Sequence, residues 1–221
     1  KNAKYKSLNK TKLLLGEQYT LLRPAFYKNA GKGKVRDQVK VITICFGGSD
    51  PKNFASKYLA ALSHMDMRFQ VNIILGATNN NPNGEYEKFN QGLIEVMIYR
   101  NILDEKMVSL LLASDLLVTT PSGIMMEACT LNIPSVTQVV AKNQDPFFEF
   151  LDQHKLAICI PEHSENSIRS LAELLNTTIF NKAYRKKMAG NQKKIFDGKS
   201  NLRLRNELEI LAKNCNIKKE N

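Results

Sequence analysis

Two short apolar runs end in residues suited to holding an anion. Val39–Phe46 runs into Gly47-Gly48-Ser49-Asp50-Pro51, and Asp115–Thr119 runs into Thr120-Pro121-Ser122-Gly123. Glycine lets a backbone approach a ligand closely, and free N–H groups at a helix start favour a phosphate. Glu127 lies one helical turn beyond Gly123, where a carboxylate can accept from both hydroxyls of a ribose. Asn143 and Gln144 follow a later apolar run. Their amides both donate and accept, which suits sugar hydroxyls or N-acetyl groups. The two glycine-bearing exits together point to a nucleotide-sugar ligand. Each residue also has a plainer use. Ser49 or Asp50 can cap the next helix, Glu127 can sit on a helix surface, and Asn143 and Gln144 can shape a turn.

These residues need a scaffold that brings distant exits to one edge. From Val39 onward, short continuous apolar runs alternate with helical patterns. Expected strands are Val39–Phe46, Phe69–Leu75, Leu93–Tyr99, Asp115–Thr119, Ser135–Val140 and Leu156–Ile160, with helices between them. Three further helices are expected near Ser164–Leu175, Asn181–Phe196 and Asn201–Asn214. Continuous apolar strands separated by helices make a parallel sheet buried on both faces. The expected fold class is therefore α/β, a doubly wound, Rossmann-like parallel sheet with strand order 3-2-1-4-5-6. Strands 1 and 4 then flank the switch point, and both exits open on one crevice.

Residues 1–34 read as an interdomain lead-in and 35–215 as the nucleotide-sugar-binding domain. Within the lead-in, Leu13–Gly16 reads as a short buried strand with a turn. Tyr19–Pro24 reads as extended, because the residue before proline is driven out of the helical region, and Ala30–Lys34 reads as a flexible linker. Asn79–Gly84 is a strong turn signal inside a long polar loop.

The net charge of +11 is unevenly spread: +9 over residues 1–40, −6 over 41–180 and +8 over 181–221. An acidic centre with basic ends argues against a nucleic-acid surface, and the ends read as solvated helix faces or contacts to another domain. No apolar run reaches the roughly 20 residues that span a bilayer. Cys45, Cys129, Cys159 and Cys215 form no CxxC pair and read as reduced thiols of a cytoplasmic protein; no metal site or cofactor is expected. His64, His154 and His163 stand near element ends, beside no nucleophile. Asp197-Gly198 and Ser200 read as a helix-to-helix turn, with Gly198 and Ser200 as caps.

In order and spacing these pieces resemble a known family. Tyr19–Phe26, Phe46–Pro51, Ala113-Ser114-Asp115 leading to Glu127, Asn143-Gln144, and Asp197-Gly198 with Arg203 are similar to segments of the UDP-sugar hydrolase of pseudaminic-acid synthesis and its spore-coat polysaccharide relatives (PseG/SpsG-like). Those enzymes share the two-domain GT-B class with the MurG glycosyltransferase. The resemblance runs from about Gly16 to Leu208 and implies the C-terminal half of a GT-B fold. It implies that Glu127 holds the ribose and that Gly47–Ser49 faces pyrophosphate and sugar. Thr120, Ser122, Gly123, Asn143 and Gln144 would line the remaining crevice. The implied reaction is metal-free hydrolysis of a UDP-linked diacetamido-trideoxy sugar to UDP and free sugar, with catalytic groups on an N-terminal Rossmann domain that this sequence does not include. Where the family carries Gly-Gly-Ser-Thr before its glutamate, this chain has Pro121-Ser122-Gly123-Ile124. Two alternatives stay open: a GT-B glycosyltransferase nucleotide-binding domain and a non-catalytic sugar-nucleotide-binding module.

Overall fold

The structure is a computed structural model that describes residues 11–161 and 168–217. His163 and the expected helix start at Ser164 lie outside the described residues, as does most of the basic lead-in before Lys12. The elements are, in order, α1 (Pro24–Lys28), β1 (Val41–Cys45), α2 (Phe54–Ser63), β2 (Phe69–Leu75), α3 (Gly84–Glu87), β3 (Ile94–Arg100), α4 (Asp104–Ala113), β4 (Leu116–Thr119) and α5 (Gly123–Leu131). They continue as β5 (Ser135–Gln138), α6 (Asp145–Gln153), β6 (Ile158–Ile160), α7 (Ile168–Phe180), α8 (Lys182–Ile195) and α9 (Ser200–Ile217). All six strands pair in parallel, in the order β3-β2-β1-β4-β5-β6. The fold is a Rossmann-like α/β sheet with helices on both faces.

Ile42, Ile44, Val71, Ile73, Leu116 and Val118 fill one face of the sheet and pack under α2 and α7. Leu111 and Leu117 pack on the other face with Leu131 of α5 and Phe26 of α1. The amino edge of the sheet carries polar groups. The carboxylate of Asp115 accepts from the backbone N–H groups of Lys40 and Val41, at 2.8 and 2.9 Å, and from Arg36 at 2.7 Å. A fully buried arginine, Arg185 of α8, donates to the carbonyls of Thr178, Arg36 and Asp37 at 3.0 Å, and to that of Ile179. Main-chain dipoles thus surround a buried cation, and α7, α8 and the entry to β1 become one unit.

The lead-in departs from expectation. Leu13 and Leu15 form no strand and are partly exposed. Ala30–Lys34 is not a loose linker: Gly31 and Gly33 donate to the carbonyls of Thr130 and Leu131, each at 2.8 Å. A Cβ on Gly33 would stand 2.4 Å from the Leu131 oxygen, so only glycine permits this approach. Phe26 is fully buried against α4 and α5. Ser200 does not cap its own helix by side chain; its hydroxyl donates to the Thr20 carbonyl at 2.6 Å and ties α9 to the lead-in.

Candidate nucleotide-sugar site

β1 and β4 lie side by side, with Cys45 opposite Thr119, so the two glycine-bearing exits leave the sheet at adjacent points. The Thr119 hydroxyl donates to the Cys45 carbonyl at 2.7 Å and pins the two strand ends together. Just beyond them opens a cleft of about 450 Å³, walled by Gly47, Ser122, Gly123, Glu127, Arg23 and Asn101. Its apolar floor includes Ile74, Met107 and Ile124. This is the switch point of the sheet, where open α/β folds bind ligands. A larger concavity of about 720 Å³ lies at the amino ends of β1–β3, beside Lys40, Arg68 and Glu95. None of the residues singled out from the sequence reaches it, so the smaller cleft is the better candidate.

The two helix starts differ. Asp50 is buried, 4% exposed, and its carboxylate accepts from the Phe54 and Ala55 N–H groups at 2.9 Å each. The first turn of α2 is therefore capped by its own chain, and Asp50, one of the expected binding residues, holds that cap and does not border the cleft. Burial holds its carboxyl above the usual carboxylate range, offset only in part by those two N–H groups. At α5 no side chain caps the N-terminus; the Ser122 hydroxyl turns instead toward the Thr120 carbonyl, at 3.4 Å. Gly123 and Ile124, the first two residues of this nine-residue helix, border the cleft. The open N-terminal dipole end that suits an anion is therefore that of α5.

The glycines at the first exit have local reasons. Gly47 has φ +77°, in the left-handed region. A Cβ on Gly48 would meet Thr78 Oγ1 at 2.9 Å, and one on Gly76 would stand 2.6 Å from Gly48 Cα. The β1 and β2 exits thus touch backbone to backbone. Burial pushes the Cys45 thiol beside this exit up to about 11.

Glu127 is 6% exposed, and Arg23 forks onto it, Nε to Oε1 and Nη2 to Oε2, both at 2.7 Å. The third arm of Arg23 donates to Asp104 at 2.6 Å, while its guanidinium lies 4.9 Å from the centre of the Phe26 ring. Hydrogen bonding to Glu127 first, and then its charge and that of Asp104, raise the Arg23 pKa further, so the cation is permanent. The acid thus bears on an arginine yet borders an open cleft. A carboxylate offers about four lone-pair sites, of which the fork uses two, so two remain open to a donor in the cleft.

The remaining expected residues are less central. Ser49 and Gly48 are exposed on the loop beside the cleft. Thr120 is buried, with its hydroxyl donating to Gln144 Oε1 at 2.7 Å; the same oxygen accepts from Val140 N–H at 2.9 Å. Gln144 thereby joins the β4 and β5 exits, and neither residue borders the cleft. Asn143 is exposed, in a single helical turn before α6.

Sequence reasoning missed Arg23, Asp104 and Asn101. Arg23 was read only as the residue before Pro24. Its signal was a lone cation within the otherwise uncharged run Leu21–Tyr27. Asp104 carries no signal beyond that of an acid in the first turn of α4. Asn101, at φ +49° with its N–H on the Leu75 carbonyl at 3.2 Å, had no signal beyond its side-chain type. Among the described residues, no group of three His, Cys, Asp or Glu side chains could hold a metal, and no helix is long and apolar enough to cross a membrane.

No protein-family model matches the chain. The uncharacterized protein MJ1062 of Methanocaldococcus jannaschii is 37% identical over 150 residues, a match covering 62% of this chain and 29% of that protein. Among solved structures, MurG of Acinetobacter baumannii superposes with a TM-score of 0.62 at 15% identity, over 89% of this chain and 56% of that one. The calicheamicin glycosyltransferase CalG4 gives 0.59 at 17%, over 82% and 44%. The spinosyn rhamnosyltransferase SpnG, solved with thymidine diphosphate, gives 0.53 at 15%, over 77% and 44%. The chain thus spans about half the length of these solved chains and less than a third of MJ1062. At these identities the likeness concerns the fold, which is that found in GT-B glycosyltransferases.

Proposed function

We propose that this chain is the nucleotide-binding half of a GT-B-type enzyme that uses a nucleoside-diphosphate sugar, with UDP as the nucleotide. One observation carries the reading. Two strand exits at the switch point share a cleft with one uncapped helix N-terminus and one buried, arginine-oriented carboxylate. The diphosphate takes the α5 N-terminus and the Gly47–Ser49 loop, and the ribose hydroxyls take the open lone pairs of Glu127. Arg23 fixes the plane of that carboxylate and offsets its charge near the diphosphate. Asn143 lies on the sugar side. The catalytic groups belong to a second, amino-terminal Rossmann domain that closes over this cleft.

Glycosyl transfer to an acceptor is the favoured reaction, because the structural neighbours named above are glycosyltransferases. Hydrolysis of the UDP-sugar is the second reading. It is supported by the Tyr19–Phe26 segment, which resembles the UDP-sugar hydrolases and delivers Arg23 to the cleft. Calorimetric titration with UDP tests the binding claim: the wild-type chain binds, and Glu127→Ala binds at least tenfold more weakly, since two charged-acceptor hydrogen bonds are lost. Equal affinity in both removes Glu127 from the site. Product analysis on the full-length protein with a UDP-sugar separates the reactions, with a glycoside indicating transfer and free sugar indicating hydrolysis.

A further inference from the structure

We propose that Arg100, which does not border the cleft, is a positioning residue that holds the Gly47–Ser49 loop in its ligand-ready form. The inference rests on the nucleotide-sugar reading above. Arg100 is the last residue of β3, paired with Leu75 at the end of β2. Its guanidinium donates in three directions to one asparagine-rich segment: to the Asn79 carbonyl at 3.0 Å, to Asn83 Oδ1 at 2.9 Å and to the Asn81 carbonyl. Asn79 is buried, 4% exposed, and its amide donates to the Ser49 carbonyl at 3.3 Å. The same side chain accepts from Asn81 N–H at 3.0 Å, and Asn79 N–H donates to the Gly76 carbonyl at 3.1 Å. Two hydrogen bonds therefore lead from Arg100 to the glycine loop. Gly76 and Thr78, in the same segment, press directly on Gly48.

A turn-forming asparagine run thus acts as a clamp between β3 and the first exit. Arginine suits the position because three divergent acceptors need a planar fork, which a lysine ammonium at one point does not reproduce. The clamp matters because a Gly-Gly loop has many alternative conformations, and ordering it on binding weakens affinity. If removing the clamp drops the ligand-ready fraction to roughly a tenth, apparent affinity falls about tenfold. The loss falls on the diphosphate end. The nucleoside end rests on Glu127, to which the Arg100 guanidinium makes no bond: its three hydrogen bonds all go to the Asn79–Asn83 segment.

The experiment compares UDP and UMP by calorimetry on wild type, Arg100→Ala, Arg100→Lys and Asn79→Ala, with thermal unfolding as a check on the fold. UDP affinity falls about tenfold in Arg100→Ala, while UMP affinity stays within about twofold. Arg100→Lys behaves as Arg100→Ala does, and adding Asn79→Ala to Arg100→Ala costs little more, because both cut one connection. Wild-type affinity in Arg100→Lys means that charge alone matters and overturns the proposal, as do equal losses for UDP and UMP or an unchanged UDP affinity. A wild-type chain that binds neither nucleotide strikes the parent reading instead. The clamp is then read by amide hydrogen exchange at Gly48 and Ser49 without ligand. Faster exchange in Arg100→Ala supports it, and unchanged exchange overturns it.

Discussion

Arg23→Met removes the cation from a pair that is partly buried and forked, and its cost can be worked from the structure. Glu127 loses two 2.7 Å bonds, and its side chain is only 8% exposed, so water replaces them poorly. Removing one member of a fully buried pair costs about 3–5 kcal/mol. The Arg23 side chain is 36% exposed, however, and solvent screening reduces that figure. The Asp104 leg, with that acid 42% exposed, adds less than about 1 kcal/mol. A loss of about 2 kcal/mol is expected, or roughly 6 °C in Tm for a chain of this size. Urea unfolding of wild type, Arg23→Met, Glu127→Gln and the double variant measures the coupling directly. About 1–2 kcal/mol of non-additivity is expected, since the two side chains touch. UDP affinity falls in Arg23→Met and also in Arg23→Lys, because a lysine cannot hold the carboxylate plane in a bidentate grip. Additivity within about 0.5 kcal/mol would show that the fork does not form in solution, and the orientation argument for Glu127 would fall with it.

Other outcomes follow from the same geometry. Asp50→Ala removes both acceptors of the α2 cap and leaves a residue at φ +44° without the tolerance of Asp, so stability drops by about 2 kcal/mol by urea midpoint. UDP affinity stays within about twofold, and a large loss of binding would return Asp50 to the site. Gly76→Ala drives a Cβ against Gly48 Cα and the Gly47 carbonyl, costing about 1–3 kcal/mol and weakening UDP, whereas unaltered binding would show that the first exit does not contact the ligand. Burial holds the Cys45 thiol at about 11 against an ordinary 9.0, so the folded chain keeps a proton that the unfolded chain releases. Its stabilising share is complete below pH 9 and declines as pH rises toward 11, with a slope near 1.4 kcal/mol per unit. Under reducing conditions, denaturant midpoints between pH 8 and 10.5 should therefore decline less steeply in Cys45→Ala than in wild type, and parallel curves would refute the assignment.

The strand order and the meeting of the two exits were legible because each strand is a continuous apolar run between helical patterns, and right-handed crossovers leave few topologies. The roles of individual side chains were less legible. Asp50 and Ser122 both precede helices and look alike as caps, yet only Asp50 turns its side chain back onto its helix. That difference lies in backbone angles, with Asp50 left-handed and Ser122 extended. The spacing of Glu127 after Gly123 places it on the cleft side of α5, but its partner Arg23 is 104 residues away, and no local pattern pairs them. Gly31 and Gly33 looked like linker residues because composition cannot distinguish a glycine that gives freedom from one that allows close contact with a carbonyl. The asparagine run is irregular up to Asn83, and Gly84 opens α3 rather than closing a turn; its clasp by Arg100 depends on strand register.

The central claim is that a nucleoside diphosphate binds at the carboxyl edge, between the two glycine-bearing exits. Two-dimensional amide NMR of the chain titrated with UDP tests it most directly. The largest shifts are expected at Gly47, Gly48, Gly123 and Ile124, with Asn101 following. Shifts gathered at Lys40, Arg68 and Gln91 on the opposite edge, or none at all, would contradict it.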